Sequence, residues 1–367
     1  MTAGLQFGDH ARQVIAESAL NLTAEWVLAG GEDDVHCIDQ IESACASSWG
    51  FDYRENGHVG KRVIKLGLVL DPAFADGARA VSVLTAPLIA GIRQRFEVID
   101  IPDQAAYGRL VESCQAVLSL EPDWASPRIR WGGGVFRSKP PPRPSLIWIS
   151  DPHKAQWRER YILRSGITDV LAYYDEPTRR HFPQLADRVR HFPWSIPDEH
   201  ILTADPGYAG SDGVHIFGAA GSPAYSMRNW CREQAGVIGH DNSGVEKPRF
   251  TTAEYWDWLA GHDAMIAAGS LDPTFGLTTP KYFEIAAVGA LLFAQRTPDL
   301  KALGFEDGVN CIAFDQADFR HKLDDYLAKP GSERYLAIRA AGRDLIRQRH
   351  ALSVRLDQLE ALIASRL

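Results

Sequence analysis

The sequence predicts an α/β protein built from two Rossmann-like, doubly wound domains that face each other across a central cleft. Its 367 residues, 45% of them hydrophobic, are enough for about two domains. Short apolar, β-branched runs alternate with helical stretches, which is typical of parallel sheets covered on both faces. This rhythm stops at a proline-containing segment near residue 195 and then restarts. Each half is therefore expected to form its own sheet.

Residues 1–60 precede this rhythm and are predicted to form a partly helical extension, with a helix around residues 9–28. The N-terminus lacks a basic start followed by an apolar core, and no apolar run approaches the length that spans a bilayer. The five cysteines include no CxxC pair, which favours a reducing compartment. The sequence therefore predicts a cytoplasmic protein, and leaves contact with a membrane surface open.

The net charge of −8 argues against a general nucleic-acid-binding surface, because such a surface needs basic residues that neutralise phosphates. A local basic pocket for one phosphorylated ligand remains compatible with this balance. The oligomeric state is not specified by the sequence.

The first domain is predicted over residues 61–194 and the second over residues 195–350, with a final helix over 351–367. In the first domain, the apolar runs predict strands at 63–70, 96–101, 116–120, 146–150, 170–173 and 189–192. In the second domain, they predict strands at 214–217, 264–268, 290–293 and 311–314. Helices are expected between them, including one over residues 280–288.

In open α/β sheets, ligands bind at the carboxyl ends of the strands, and residues 271–293 are the most informative segment there. Thr279 is a candidate N-cap and Pro280 a first helical residue. The free amides of a helix N-terminus bind phosphate, and Lys281 adds a positive charge. Glu284, one turn later, can accept hydrogen bonds from a ribose diol. The alternative is an ordinary capped helix in which Glu284 offsets the helix dipole.

The segment Lys281–Leu292, KYFEIAAVGALL, resembles the donor-binding segment of GT-B glycosyltransferases, in particular the CgeB-like group and the group 1 glycosyl transferases. Those proteins carry Lys or Arg, any residue, Phe-Glu, a helix of small residues and then Gly-Ala with two apolar residues. The resemblance extends over residues 264–352, is moderate at 192–198 and is weak over 61–190.

This resemblance implies transfer of a sugar, of the hexosyltransferase type, from a UDP-, GDP- or dTDP-sugar to a carbohydrate, lipid-linked or protein acceptor. Glu284 would hold the ribose, and Lys281 with the backbone at Thr278 and Thr279 would hold the diphosphate. Near the diphosphate or the transferred sugar, the resemblance places Gly218, Gly221, Ser222, Tyr225 and Arg228. It also implies that the C-terminal helix packs back on the first domain.

Two departures bear on the mechanism. Many retaining GT-B enzymes have a second Glu eight positions before the ribose-binding Glu, and this sequence has Gly276 there, which favours inversion. No Asp-x-Asp triplet occurs, and an Arg such as Arg228 can neutralise a leaving diphosphate without a metal. The sequence therefore predicts no metal and no cofactor apart from the nucleotide-sugar donor.

An inverting transfer needs a general base on the acceptor side of the cleft. Asp71 follows the first strand, and Asp151 and His153 follow the fourth, so these three are the candidates. Both Asp-Pro pairs are also good turn formers. Five tryptophans could line an acceptor groove or fill the core: Trp124, Trp131, Trp148, Trp157 and Trp194. Four histidines are assigned solvated or capping roles: His58, His181, His191 and His262.

Two functions of other classes fit the same architecture. A non-catalytic protein could bind a sugar nucleotide or scaffold an assembly with the same cleft. A sugar-nucleotide epimerase or a phosphorylase could share the two-domain arrangement as well.

Overall fold

The computed structural model describes residues 63–70, 82–120, 141–154, 157–240 and 252–367. The predicted N-terminal extension, Asp71, Trp124 and Trp131 lie outside the described residues, and so does His58. The chain divides into two compact units, Met1–Arg62 and Val63–Leu367, and all described residues belong to the second. Within the described residues, no helix is both long and apolar enough to cross a membrane.

The first sheet has six parallel strands in the order β2-β1-β3-β4-β5-β6. They are β1 (Lys65–Val69), β2 (Glu97–Ile101), β3 (Ala116–Leu120), β4 (Ser145–Ile149), β5 (Asp169–Ala172) and β6 (Val189–His191). The helices between them are α1 (Thr85–Arg95), α2 (Gln104–Leu110), α3 (Trp157–Ser165) and α4 (Asp175–His181). All six predicted strands are present. The inner strands β1, β3, β4 and β5 are almost wholly buried, whereas the two edge strands, β2 and β6, are only partly buried.

The second sheet has five parallel strands in the order β11-β10-β9-β7-β8. They are β7 (Val214–Phe217), β8 (Val237–His240), β9 (Ala264–Ala267), β10 (Leu291–Gln295) and β11 (Ile312–Phe314). The helices are α5 (Ser226–Arg232), α6 (Thr252–Ala260), α7 (Pro280–Ala287), α8 (Phe319–Ala328), α9 (Glu333–Leu345) and α10 (Leu352–Ala364). The predicted class, two Rossmann-like parallel sheets in one α/β chain, is confirmed.

The strand β8 was missed by the sequence analysis. Its four residues, VIGH, include a glycine and a polar residue, and all of them are at least partly exposed. The strand lies at the edge of the sheet, with β7 as its only partner in the sheet as described. An edge strand needs no continuous apolar run, so the pattern that identified the buried strands is absent here.

The last helix crosses back from the second sheet to the first. Leu356 of α10 lies so close to α1 that a methyl group on Gly91 would come within 2.6 Å of its Cδ1. Arg95 of α1 pairs with Asp357 at 2.5 Å and Glu360 at 3.2 Å. Helix α10 therefore covers α1 with both apolar and charged contacts.

Two segments of chain connect the sheets, and they are hydrogen-bonded to each other. The Ile196 amide donates to the His350 carbonyl at 2.9 Å, and the Leu352 amide donates to the Ile196 carbonyl at 2.8 Å. Ile196 is fully buried at this crossing.

A buried carboxylate joins the two halves elsewhere. Asp299, in the loop after β10, accepts hydrogen bonds from the backbone amides of Asp175 at 2.9 Å and Glu176 at 3.0 Å. These are free amides in the first turn of α4, so a side chain of the second half caps a helix of the first. Burial raises the pKa of Asp299 to about 6, although the two amides act in the opposite direction.

Candidate functional site

Helix α7 begins where the sequence predicts, with Thr279 at the N-cap position and Pro280 as its first residue. The Thr279 side chain, however, makes no capping hydrogen bond, and its buried Oγ1 has no partner among the described residues. The Thr278 hydroxyl instead contacts the Thr297 hydroxyl at 2.5 Å. The N-terminus of α7 therefore keeps amides and one hydroxyl that its own side chains do not satisfy.

Glu284, one turn into α7, is only 4% exposed. Its Oε2 accepts a hydrogen bond of 2.7 Å from the Tyr255 hydroxyl of α6. Burial raises the pKa of the Glu284 carboxyl, while Lys281 and the Tyr255 hydroxyl lower it. A buried carboxylate with one oriented oxygen and a cation one turn away is suited to accept hydrogen bonds from a diol.

The loop after β7 approaches these residues through a glycine. Gly218 has a φ of +104°, a conformation that side-chain-bearing residues rarely adopt. A methyl group here would lie 3.0 Å from Arg228 Nη1, 3.0 Å from Lys281 Cε and 3.1 Å from Lys281 Nζ. Two cations from different helices therefore meet at this backbone position, and only glycine leaves room for them.

Three side chains of α5 hold the carbonyls of this loop. Arg232 Nη2 donates to the Gly218 carbonyl, and Arg228 Nη1 donates to the Ala219 carbonyl at 2.8 Å. Asn229 Nδ2 donates to the Ala220 carbonyl at 2.9 Å. Three consecutive carbonyls are thus held by side chains of one short helix, which makes the loop a preorganised part of the site.

Arg228 is 3% exposed and is held from two sides, because its Nε also donates to the Ala268 carbonyl at 3.1 Å. Its guanidinium lies over the Tyr225 ring, 4.5 Å from the ring centroid. No described carboxylate pairs with it, and burial lowers its pKa to about 10. Arg228 is therefore a buried cation with capacity for an anionic ligand.

Lys281 lies 4.7 Å from the centroid of the Phe217 ring. Burial and the neighbouring Arg228 lower its pKa to about 8, so the ammonium form still prevails at pH 7. A bound anion would relieve both the desolvation and the repulsion between the two cations. The arrangement of Lys281, Arg228 and the start of α7 is thus electrostatically prepared for a diphosphate.

Residues of the first domain contact the loop that precedes α7 in the second domain. The His153 ring, after β4, lies edge-on to the Phe275 ring with centroids 4.8 Å apart. Arg180 Nη1 of α4 donates to the Pro273 carbonyl at 2.9 Å. Asp151 has a φ of +40°, the one positive value among the described residues other than glycine. The loop after β4, which carries Asp151 and His153, therefore contacts the segment that precedes α7 through His153 and Phe275.

The other candidates differ in their surroundings. Ser222 caps the short helix Pro223–Tyr225 by accepting from the Ala224 amide at 3.3 Å, and Gly221 is exposed. Gly276 has a φ of +51° and would place a methyl group 3.1 Å from Pro298. The backbone therefore disfavours any side chain at the position where many retaining enzymes have a Glu.

Two tryptophans considered for an acceptor groove belong to the core. Trp148 is 1% exposed, and Trp194 is 5% exposed and stacks on Tyr173 with centroids 3.7 Å apart. A sugar cannot reach their faces without unpacking the first sheet. For these two residues, core packing is the correct interpretation. The Trp157 side chain lies outside the described part.

Sequence reasoning missed several residues of the site. Tyr255, Arg232 and Gln295 lie in segments without a recognisable motif. Gln295 accepts from the Gly269 amide at 2.8 Å and donates to the Ser270 carbonyl at 2.7 Å, which fixes the end of β9. A polar residue at the carboxyl end of the apolar strand LLFAQ was the available signal.

His262 has neighbours that the sequence did not predict. It is partly exposed, but its ring stacks on His215 with centroids 4.0 Å apart and lies near His240. One ring nitrogen of each of these three histidines lies within 4.8 Å of the others. The three residues are spread over 48 positions of the sequence, so only the fold brings them together.

Comparison with known proteins identifies similar sequences and folds. Residues 201–361 match the model of a family described as glycosyl transferase-like. No curated protein matches the chain in sequence. Among solved structures, HepE from Anabaena, in complex with UDP-glucose, is 13% identical with a TM-score of 0.56, covering 82% of this chain and 100% of its own.

Two further structures are similar to the same extent. Sucrose-phosphate synthase from Thermosynechococcus elongatus is 10% identical with a TM-score of 0.58, covering 82% of this chain and 98% of its own. A glycosyltransferase from Rickettsia africae is 12% identical with a TM-score of 0.51, covering 83% and 98%. The two parallel Rossmann-like sheets, the returning C-terminal helix and these likenesses show that the chain has the GT-B glycosyltransferase fold, with a glycosyl transferase-like C-terminal half.

Proposed function

We propose that this protein is a glycosyltransferase that moves a sugar, of the hexosyl type, from a nucleotide-sugar donor to the hydroxyl of a glycan, lipid-linked or protein acceptor. One observation supports this most strongly: Lys281 and Arg228 meet at the Gly218 backbone, one helical turn from the buried carboxylate of Glu284. These groups match the diphosphate and the ribose of a nucleotide sugar, the donor class that HepE binds in its complex with UDP-glucose.

Glu284 would accept hydrogen bonds from the ribose hydroxyls, with Tyr255 fixing the direction of one of its oxygens. Lys281, Arg228, the α7 amides and the Thr279 hydroxyl would bind the diphosphate. As the bond between the anomeric carbon and the diphosphate oxygen breaks, the diphosphate leaves with the electron pair. Its growing negative charge is then met by groups that are already in place, so no metal is required at this centre.

The acceptor oxygen forms the new bond to the anomeric carbon, and its proton passes to a base on the first domain. We propose Asp151 for this role, because strained backbone at a carboxylate beside a cleft is typical of functional positions. His153, beside Phe275, is the second candidate. Direct displacement by the acceptor inverts the anomeric configuration, which fits the position of Gly276.

The test is calorimetric titration of the full-length protein with UDP, GDP, dTDP and the corresponding sugar nucleotides. We expect one nucleoside diphosphate to bind, and Glu284→Ala to weaken its binding at least tenfold. The matched control is Glu333→Ala, an exposed glutamate in the first turn of α9. The proposal fails if none of the nucleotides binds, or if Glu284→Ala and Glu333→Ala bind alike.

Turnover separates an enzyme from a binding protein. The assay measures release of the nucleoside diphosphate from the sugar nucleotide that binds, in the presence of a panel of glycan, lipid-linked and peptide acceptors. Asp151→Asn is expected to lower kcat strongly while leaving donor affinity unchanged. Binding without turnover on the whole panel would favour a sugar-nucleotide-binding or scaffold protein, and product formed without any acceptor would favour an epimerase.

A further inference from the structure

The histidine cluster of the second sheet lies outside the proposed donor site. His215 is in β7, His240 is the last residue of β8, and His262 lies in the turn between α6 and β9. The Lys281 ammonium lies over the Phe217 ring, and the Trp258 ring packs against Phe217, His240 and His262 with centroids 5.2, 5.2 and 4.9 Å away. The cluster therefore borders the donor site without being part of it.

The geometry of the rings suits a tetrahedral metal ion. His215 Nδ1 and His240 Nε2 are 2.9 Å apart, and ligand nitrogens of all three rings lie within 4.8 Å of one another. Zinc–nitrogen bonds of about 2.0–2.1 Å at tetrahedral angles place the ligand nitrogens about 3.4 Å apart. Adjustments of about 1 Å or less per side chain would bring these nitrogens to the ligand distance.

The environment of the rings favours ligation over ordinary core packing. His262 Nε2 is buried and has no hydrogen-bond partner among the described residues. Burial and the other two histidines lower the pKa of His262 to about 4, and burial also lowers the pKa of His215, so both rings are neutral at pH 7. Neutral imidazole is the form that binds metal ions.

Access and chemistry narrow the choice of ion. His240 and His262 are partly exposed while His215 is buried, so an ion could enter from solvent and stop against the sheet. Three imidazoles favour Zn²⁺ and related divalent transition metals over Mg²⁺ or Ca²⁺, which prefer oxygen ligands. Three protein ligands also leave one coordination position for water.

We propose that His215, His240 and His262 form a zinc-binding site that joins β7, β8 and the end of α6. Binding would replace the hydrogen bond between His215 and His240, with its proton moving to the other nitrogen of the same ring. Because α6 carries Tyr255, the ion would also fix the helix that orients Glu284. The site is distinct from the diphosphate-binding groups, and it does not depend on the proposed transfer reaction.

The experiment uses the metal-free, full-length protein without a histidine tag. Zn²⁺ is titrated in competition with a chromogenic chelator, and Co²⁺ is added separately as a spectroscopic probe. We expect one equivalent of Zn²⁺ to bind, and Co²⁺ to give the intense visible absorption of a tetrahedral site. Loss of one direct ligand, in His262→Gln or His240→Gln, should weaken Zn²⁺ binding by about 100-fold or more. Mutation of a residue that only hydrogen-bonds to a metal ligand already lowers metal affinity by about 10–100-fold.

The matched control is His321→Gln, an exposed histidine of α8, which should bind Zn²⁺ like the wild type. Circular dichroism establishes that each variant is folded. If a variant does not fold, the ligands are identified instead by X-ray absorption spectroscopy of the wild-type zinc complex. We expect this spectrum to show three imidazole ligands. Binding of less than one equivalent, equal binding by all three variants, or an absorption spectrum without imidazole ligands would each overturn the proposal.

Discussion

The Tyr255 hydroxyl donates a 2.7 Å hydrogen bond to Oε2 of Glu284, and this contact links α6 to the candidate ribose-binding carboxylate. Tyr255 is partly buried, and the burial of its hydroxyl together with the neighbouring Glu284 raises its pKa well above the ordinary value. The hydroxyl therefore stays protonated at neutral pH and remains a donor to Glu284.

Tyr255→Phe removes this donor and leaves a buried carboxylate oxygen without its partner. A hydrogen bond to a charged group contributes about 1.5–3 kcal/mol, so nucleoside diphosphate affinity should fall about 10- to 100-fold. Calorimetric titration measures the change. The control is Tyr335→Phe, which loses a 2.8 Å bond to Asp325 in a different part of the domain. Equal affinities for the two variants would contradict the role given to Tyr255.

Gly218→Ala should weaken donor binding and destabilise the fold. Both the φ of +104° and the approach of Arg228 and Lys281 oppose a methyl group there. Strained backbone of this kind costs about 1–3 kcal/mol, measurable by urea unfolding. Gly210→Ala isolates the backbone effect, because Gly210 also has a positive φ, +79°, but has open space around it. Gly210→Ala should lower the stability of the protein but leave donor affinity unchanged. If Gly210→Ala weakened donor binding as much as Gly218→Ala, the role given to Gly218 in the donor site would be wrong.

Donor binding should weaken above pH 8. Lys281 in the free protein has a pKa lowered to about 8, and a bound diphosphate would raise it, so the complex holds a proton that the free protein loses at higher pH. Affinity should therefore be constant near pH 7 and fall by up to about tenfold per pH unit above pH 8. The measurement is the dissociation constant of the nucleoside diphosphate from pH 7 to 9.5.

Lys281→Gln provides the comparison for this pH dependence. Its affinity should be lower at pH 7 and nearly unchanged up to pH 9, because Arg228 has a pKa of about 10 and stays charged longer. If the variant and the wild type lose affinity in parallel, the titrating group is another residue.

Asp299→Ala should destabilise the chain by about 1–2 kcal/mol, the cost of removing a helix cap. The first-turn amides of Asp175 and Glu176 would be left without an acceptor in a buried place. Urea unfolding followed by circular dichroism measures the loss. Asp257→Ala, an exposed position of α6, serves as the control and should unfold like the wild type. An unchanged midpoint for Asp299→Ala would show that solvent satisfies these amides.

The sequence was sufficient for most of the fold because the buried strands are continuous apolar runs. Leu291–Gln295 and Ala264–Ala267 are recognisable wherever they occur, since a parallel strand between helices has no polar face. Val237–His240 is half exposed at an edge and carries no such pattern. The start of α7 was also predictable, because Thr279 and Pro280 are local signals.

The candidate site was predictable only where its residues share a segment. Lys281 and Glu284 are three positions apart on one helix, so one motif reveals both. Tyr255 meets Glu284 across 29 positions, and His215 meets His262 across 47, through contacts that depend on the packing of α6. Local patterns carry no information about such distances. The sequence likewise does not reveal that Thr279 occupies the N-cap position without a capping hydrogen bond.

The return of α10 to the first sheet bears on how the chain acquires its structure during synthesis. Leu359 and Ile363 of α10 are fully buried, in the same apolar cluster as Ile92 of α1. Because α10 follows the whole second sheet in chain order, α1 emerges from the ribosome long before the helix that covers it. The first domain cannot be completed while the second is still being translated. Deletion of α10 would thus destabilise the first domain, although the helix follows the second domain in the chain.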